Sequence, residues 1–125
     1  MKLLEEVNLL KEIIKIYSPS EKEKEVSDFL FNFLKNKKFN VQQDKEWNVI
    51  SKIGFGHPYI ILTSHMDTVS GEVPFRIDGK KIYGRGACDA KSPLAALLSA
   101  FVRFRDKNFK GTLIFAGVTG EEAPN

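Results

Sequence analysis

His65 and Asp67 in the run SHMDTV, Asp89 in GRGACDAKSP, and Glu121 with Glu122 in VTGEE are the residues whose types and positions bear on chemistry. Each group stands where a short apolar run stops or a helix is about to start. An imidazole with several carboxylates is a donor set for Zn²⁺ or a similar first-row divalent ion. His65 and Asp67 lie two residues apart, so in an extended segment both point to one side. Asp67 can then accept the imidazole N–H and fix its tautomer. Asp89 has the small residues Ala87 and Ala90 nearby, which leaves room for a carboxylate shared by two ions. Two ions about 3.5–4 Å apart polarise a carbonyl and activate a water between them. Adjacent Glu121 and Glu122 cannot face the same way on a strand. In a turn, one can hold metal while the other takes a proton, and spacing leaves open which does which.

Taken singly, each residue has a plainer reading. His65 alone is a strand-end histidine bonded to backbone, Asp89 alone a turn or cap residue, and a lone Glu-Glu pair solvated surface. The joint placement carries the site. His57 in GHP reads as an exposed loop residue, and Cys88 as a small, partly buried apolar one. Gly84-Arg85-Gly86 is too short for a phosphate loop.

The elements that must position these groups follow from periodicity. Leu3, Val7, Leu10, Ile14 and Tyr17 form one helical stripe, with Leu4 and Ile13 beside it, ended by Pro19. Ser20 with Glu23 reads as a capping box for a second helix, whose buried face is Val26, Phe29, Leu30, Phe33 and Leu34. Phe39–Gln43 and Trp47–Ile53 read as strands. Tyr59–Thr63 (YIILT) is apolar enough for a central strand buried on both faces. Val73–Ile77, DGKK and Ile82–Tyr83 read as a hairpin. Ser92-Pro93 opens a helix with Ser as N-cap, running to about Arg105, and GTLIFAGV at 111–118 is a second buried strand. Strand, helical crossover and strand make a parallel βαβ unit. The fold class is therefore α/β, a mixed central sheet with helices on both faces. Ligands bind such a sheet outside the carboxyl ends of its strands, where His65, Asp89 and Glu121–Glu122 converge.

At 125 residues the chain is one domain at most, and its 42% hydrophobic and 28% charged content is ordinary for a globular protein. The net charge is only +3 and lysines interleave with glutamates, as in EKEKE, which argues against a nucleic-acid partner. No run of eighteen apolar residues exists, which argues against a membrane span, and Glu5 and Glu6 interrupt any signal-like start. One cysteine excludes an internal disulfide and fits a reducing, cytoplasmic setting.

With those residues assembled, the chain resembles the N-terminal part of the metallopeptidase family that contains acetylornithine deacetylase, succinyl-diaminopimelate desuccinylase, aminoacylase and glutamate-type carboxypeptidases. SHMDTV resembles that family's His-x-Asp strand end, GRGACDAKSPLAA its bridging-Asp loop, and TGEEA its Glu-Glu turn. The compact GRGACDAKSPLAALLSA segment is most similar to the hydrolases that release lysine or ornithine from an amino-group carrier protein. The resemblance implies that His65 binds one ion, Asp89 bridges both and Glu122 binds the second, with Glu121 as general base and Asp67 orienting His65. It implies two divalent ions, zinc first and cobalt second. The implied substrate is an amino-acid-derived amide, on a small carrier protein or as an N-acyl amino acid, in lysine or arginine biosynthesis. It also implies a homo-oligomer. Ser92 departs from the glycine usual after Asp-x-Lys. The resemblance implies that residues 1–125 correspond to the N-terminal part of the family's metal-binding catalytic domain, and the family's further carboxylate, late histidine and dimerisation or lid domain are expected outside them. Weak metal binding and little turnover are expected of this chain alone. A non-catalytic metal- or partner-binding module is the alternative.

Overall fold

In a computed structural model, which describes residues 1–124, the first apolar stripe forms helix α1 (Leu3–Lys15). Its start is closed by the Glu5 carboxylate, which accepts the Lys2 backbone N–H at 2.8 Å. The buried face is Leu9, Ile13 and Ile14, whereas Leu3 and Leu4 stand exposed, so the stripe faces the core only from its second turn onward. Helix α2 (Lys24–Asn36) buries Val26, Leu30 and Leu34 as expected, while Phe29 and Phe33 stack on each other at its half-buried flank.

Strands β1 (Val41–Gln43), β2 (Val49–Phe55), β3 (Tyr59–His65) and, after helix α3 (Ser92–Phe104), a long strand at Gly111–Val118 build one sheet. A separate hairpin of β4 (Arg76–Asp78) and β5 (Lys81–Tyr83) realises the expected Asp-Gly turn, and the long strand is accordingly β6. The sheet order is β1-β2-β6-β3. β2 pairs antiparallel with β6, and β3 pairs parallel with it, His65 opposite Val118. The expected βαβ unit is thus β3–α3–β6, in a mixed sheet.

All three helices pack on one face of this sheet. Leu9 and Ile13 of α1, Val26, Leu30 and Leu34 of α2, and Leu94, Leu98 and Phe101 of α3 share a core with Val49, Leu113 and Phe115. Helices on both faces were expected. Among the described residues the other face, which carries Ile50, Ile61 and Ile114, has no helix. A second correction concerns YIILT. This run is not a central strand but the sheet edge, with Tyr59, Ile60 and Ile61 all more than half exposed. An apolar run records how much cover a strand can accept, not whether a neighbour supplies it. No helix among the described residues is long and apolar enough to cross a membrane.

Two expected caps also differ. Ser20 and Glu23 do not close α2: the helix begins at Lys24 without a side-chain cap, and both side chains turn toward the rim of the sheet. Ser92 is the first residue of α3 and not its cap. Its Oγ donates to the Ala87 carbonyl, while Pro93 does sit in the first turn. Between β5 and α3, residues Ala87–Lys91 form an irregular turn that carries Asp89.

Candidate metal centre

Because β3 and β6 run parallel, their carboxyl ends reach the same rim. Met66 N–H donates to the Val118 carbonyl at 2.7 Å, which sets His65–Asp67 beside Thr119–Glu122. Asp89 joins from the turn ahead of α3. This turn depends on Gly86, at φ +79°, where an added Cβ would lie 2.5 Å from Thr68 Cγ2. The structure therefore brings all five predicted residues, His65, Asp67, Asp89, Glu121 and Glu122, to one rim.

His65 is largely buried, with 12% of its side chain exposed. Its Nδ1 lies 2.8 Å from the backbone carbonyl of Asp67 and 3.3 Å from Asp67 Oδ1. A carbonyl can only accept, so Nδ1 carries the hydrogen, and in the neutral ring Nε2 presents its lone pair. That lone pair faces Asp89 Oδ1 at 2.9 Å and Glu121 Oε2 at 3.6 Å. Donor atoms of His65, Glu121 and Glu122 all lie within 4.8 Å of one another. Among the described residues no lysine or arginine pairs with any of these carboxylates.

Three acceptors aimed at one point with no basic partner call for a proton or a cation. The same crowding favours the protonated forms of His65 and Glu122. Burial works against a charged His65, yet the Asp67 carbonyl, the Asp89 carboxylate and the charges of Asp67 and Glu121 outweigh it and raise the pKa. Burial raises the Glu122 carboxyl pKa, and contact with Asp89 and the charge of Glu121 push it further. The donor set suits a borderline divalent ion, and the crowding of like charges is what such an ion relieves. The residues present thus fit a divalent-metal centre.

Asp67 is fully buried and has a second task that its sequence position did not announce. Its Oδ2 accepts the Ser20 hydroxyl at 2.6 Å and the Glu122 N–H at 2.8 Å, and its Oδ1 accepts the Glu121 N–H at 3.1 Å. Burial alone would raise this carboxyl's pKa, but these donors and the nearby His65 lower it. The tautomer-fixing contact comes mainly from the Asp67 backbone carbonyl, leaving the carboxylate to hold the Glu-Glu turn. Ser20 reaches Asp67 because segment 18–20 runs alongside 66–68, with Thr68 N–H donating to the Ser18 carbonyl at 2.9 Å.

Ser20, Glu23 and Asn48 are the site-supporting residues that sequence reasoning missed. Ser20 and Glu23 matched a helix-cap pattern, and Asn48 sat inside a strand-like run. Cys88 is exposed, not partly buried, because its turn faces a cleft of about 620 Å³ that is also lined by Val69, Val73, Tyr83, Asp89 and Glu122. His57 is an exposed loop residue, as expected, edge-on to Tyr59 and outside the donor cluster.

Residues 61–125 match the sequence profile of Peptidase family M20/M25/M40. The chain is 44% identical over 114 residues to a Pyrobaculum aerophilum protein provisionally named LysW-lysine/LysW-ornithine hydrolase; the match covers 91% of this chain and 33% of that protein. It is 42% identical over 115 residues to the LysW-lysine/LysW-ornithine hydrolase of Sulfurisphaera tokodaii, covering 91% of this chain and 31% of that enzyme. Its fold superposes with a TM-score of 0.76 on a Bacillus subtilis protein described as a dinuclear metal-binding peptidase, at 16% identity over 95% of this chain and 36% of the other. The chain thus spans about a third of the length of these curated relatives. It belongs to Peptidase family M20/M25/M40.

Proposed function

We propose that the chain provides the metal-holding rim of a hydrolase that cleaves the amide bond joining lysine or ornithine to a small amino-group carrier protein. The carrying observation is the meeting of the His65 Nε2 lone pair with the Asp89, Glu121 and Glu122 carboxylates, with no basic side chain paired to them among the described residues. The substrate rests on the names of the relatives, which are given to hydrolases acting on LysW-linked lysine and ornithine. The proposed setting is lysine or arginine biosynthesis in the cytoplasm, with the protein working as a homo-oligomer.

In this reading His65, Asp89 and Glu122 would hold two divalent ions, zinc first and cobalt second. Bound ions of this kind polarise the scissile carbonyl and make water acidic. The residues do the rest. Asp67 holds the Glu-Glu turn by two backbone N–H groups, and its carbonyl keeps the His65 lone pair on Nε2. Glu121, 59% exposed, is free to take a proton from the attacking water and return it to the leaving amine. The cleft beside Asp89 and Glu122, walled by Val69, Val73 and Tyr83, receives the aliphatic part of the amino acid.

The test is a chimera in which residues 1–125 replace the corresponding third of the Sulfurisphaera tokodaii enzyme, assayed for lysine and ornithine release with zinc or cobalt. Release is expected, and Glu121→Ala should lower kcat by about 10²–10⁴-fold with metal content unchanged. A Glu121→Ala chimera that retains both its metal and its full rate would overturn the proton-transfer role. A chimera that folds and binds no metal would overturn the reading as a whole.

A further inference from the structure

Glu23 is only 2% exposed, although its sequence neighbours Glu21, Lys22, Lys24 and Glu25 are all exposed. Among the described residues no lysine, arginine or histidine pairs with its carboxylate, and it caps nothing in α2. A carboxylate is costly to bury, so what it binds matters. Its Oε1 accepts the backbone N–H of Gly120 at 3.2 Å, across 97 residues of sequence.

That contact belongs to a series. Four consecutive backbone N–H groups, Thr119 to Glu122, each donate to a side chain from elsewhere. Thr119 donates to Asn48 Oδ1 at 3.0 Å, Gly120 to Glu23, and Glu121 and Glu122 to the two oxygens of Asp67. Asn48 is itself held by Asp44, which accepts its backbone N–H and its Nδ2–H at 2.9 Å each. Gly120 supplies the positive φ of +75° that lets the run of donors curl. A curl of backbone N–H groups ordinarily attracts an anion. Here side chains of the chain itself, buried Glu23 and Asp67 and half-buried Asn48, take that place, so the backbone is fixed before any ligand arrives.

We propose that Glu23 is a positioning residue of the metal centre: by holding Gly120 it fixes the turn from which Glu121 and Glu122 reach toward His65. The proposal rests on the metal reading above for its consequence, but the clamp itself is a property of the chain. Loosening Gly120 lets the following two carboxylates spread, and a donor set kept within 4.8 Å loses its preorganisation.

The experiment compares the wild-type chain with Glu23→Ala and Glu23→Gln, whose amide oxygen can still accept the Gly120 N–H. Leu34→Val at the far end of α2 controls for a general loss of stability. Two quantities are read. The first is hydrogen exchange of the amides of residues 119–122 in metal-free protein. The second is Co²⁺ affinity, followed by visible absorption, in the chimera described above carrying the same substitutions. Glu23→Ala should speed exchange of the turn amides about tenfold or more relative to core amides, and raise the cobalt Kd by about 10–100-fold. Glu23→Gln should restore both, and Leu34→Val should change neither. Unchanged turn exchange in Glu23→Ala overturns the clamp. Faster exchange with wild-type cobalt affinity overturns its link to the metal centre. Failure of the wild-type chimera to take up cobalt overturns the metal reading, with the exchange data still deciding the clamp.

Discussion

Asp67 shows how one buried residue can serve two functional groups at once. Its carboxylate oxygens face three donors, the Ser20 hydroxyl and the N–H groups of Glu121 and Glu122, while its own backbone carbonyl orients His65. Asp67→Asn keeps the shape but replaces one oxygen with an NH₂ group. The hydroxyl of Ser20 can rotate to accept, but one backbone N–H is left facing a donor. An unsatisfied buried donor costs about 1–3 kcal/mol, and urea unfolding of the metal-free chain near neutral pH should show a loss of that size. The sign with pH follows from the lowered pKa. The stabilisation is present above the ordinary carboxyl value of 3.8 and is lost as pH falls through the lower, folded value. The difference in stability between wild type and Asp67→Asn should therefore shrink in acid. A gap that stayed constant down to the acid transition would mean that Asp67 is not ionised in the folded chain.

At the scale of elements, the irregular turn Ala87–Lys91 and the Glu-Glu turn do the positioning, while the strands only bring them to one rim. Gly86 is where the first turn is most constrained. A Cβ there meets the buried Thr68, whose Oγ1 is already committed to the Val69 carbonyl, and the φ is positive as well. Gly86→Ala should cost about 1–3 kcal/mol in unfolding free energy. Gly79→Ala, at φ +57° with open space around it, should cost only about 1 kcal/mol. Equal losses would show that Thr68 gives way. The strand–helix–strand order and the convergence of His65, Asp89 and the Glu-Glu pair were legible because they rest on local apolar periodicity and a general rule about strand ends. Ser20, Glu23 and Asn48 were not legible. Each makes its decisive bond to a residue 47 to 97 positions away, and locally each fits an ordinary cap or strand pattern. The absence of helices on one sheet face among the described residues was hidden for a related reason: the apolar runs of β2 and β6 do not tell what lies against each face.

For the whole molecule, the distribution of cover is lopsided. Among the described residues one face of the sheet holds the entire helical layer, while Ile50, Ile61 and Ile114 look outward on the other. Register aligns Ile61 with Ile114 and Lys52, and Thr63 with Ala116, Ile50 and Gln42, so this face carries an apolar patch of Ile50, Ile61, Ile114 and Ala116 interrupted by Lys52, Thr63 and Gln42. β3 also leaves one side of its backbone unpaired along Tyr59–His65 among the described residues. An apolar patch bordered by an open strand edge favours association, by face packing and by edge pairing together. Light scattering of the 125-residue chain should show an apparent mass that rises with concentration. Ile61→Lys should weaken that association several-fold, because it puts a charge in the middle of the patch. Its side chain is 60% exposed, so the unfolding free energy should change by no more than about 0.5 kcal/mol. A wild-type chain that stays monomeric at high concentration would show that Lys52 and the twist of the sheet suffice to keep this face apart. Association unaltered by Ile61→Lys would point instead to pairing through the backbone of the β3 edge, which the substitution leaves intact.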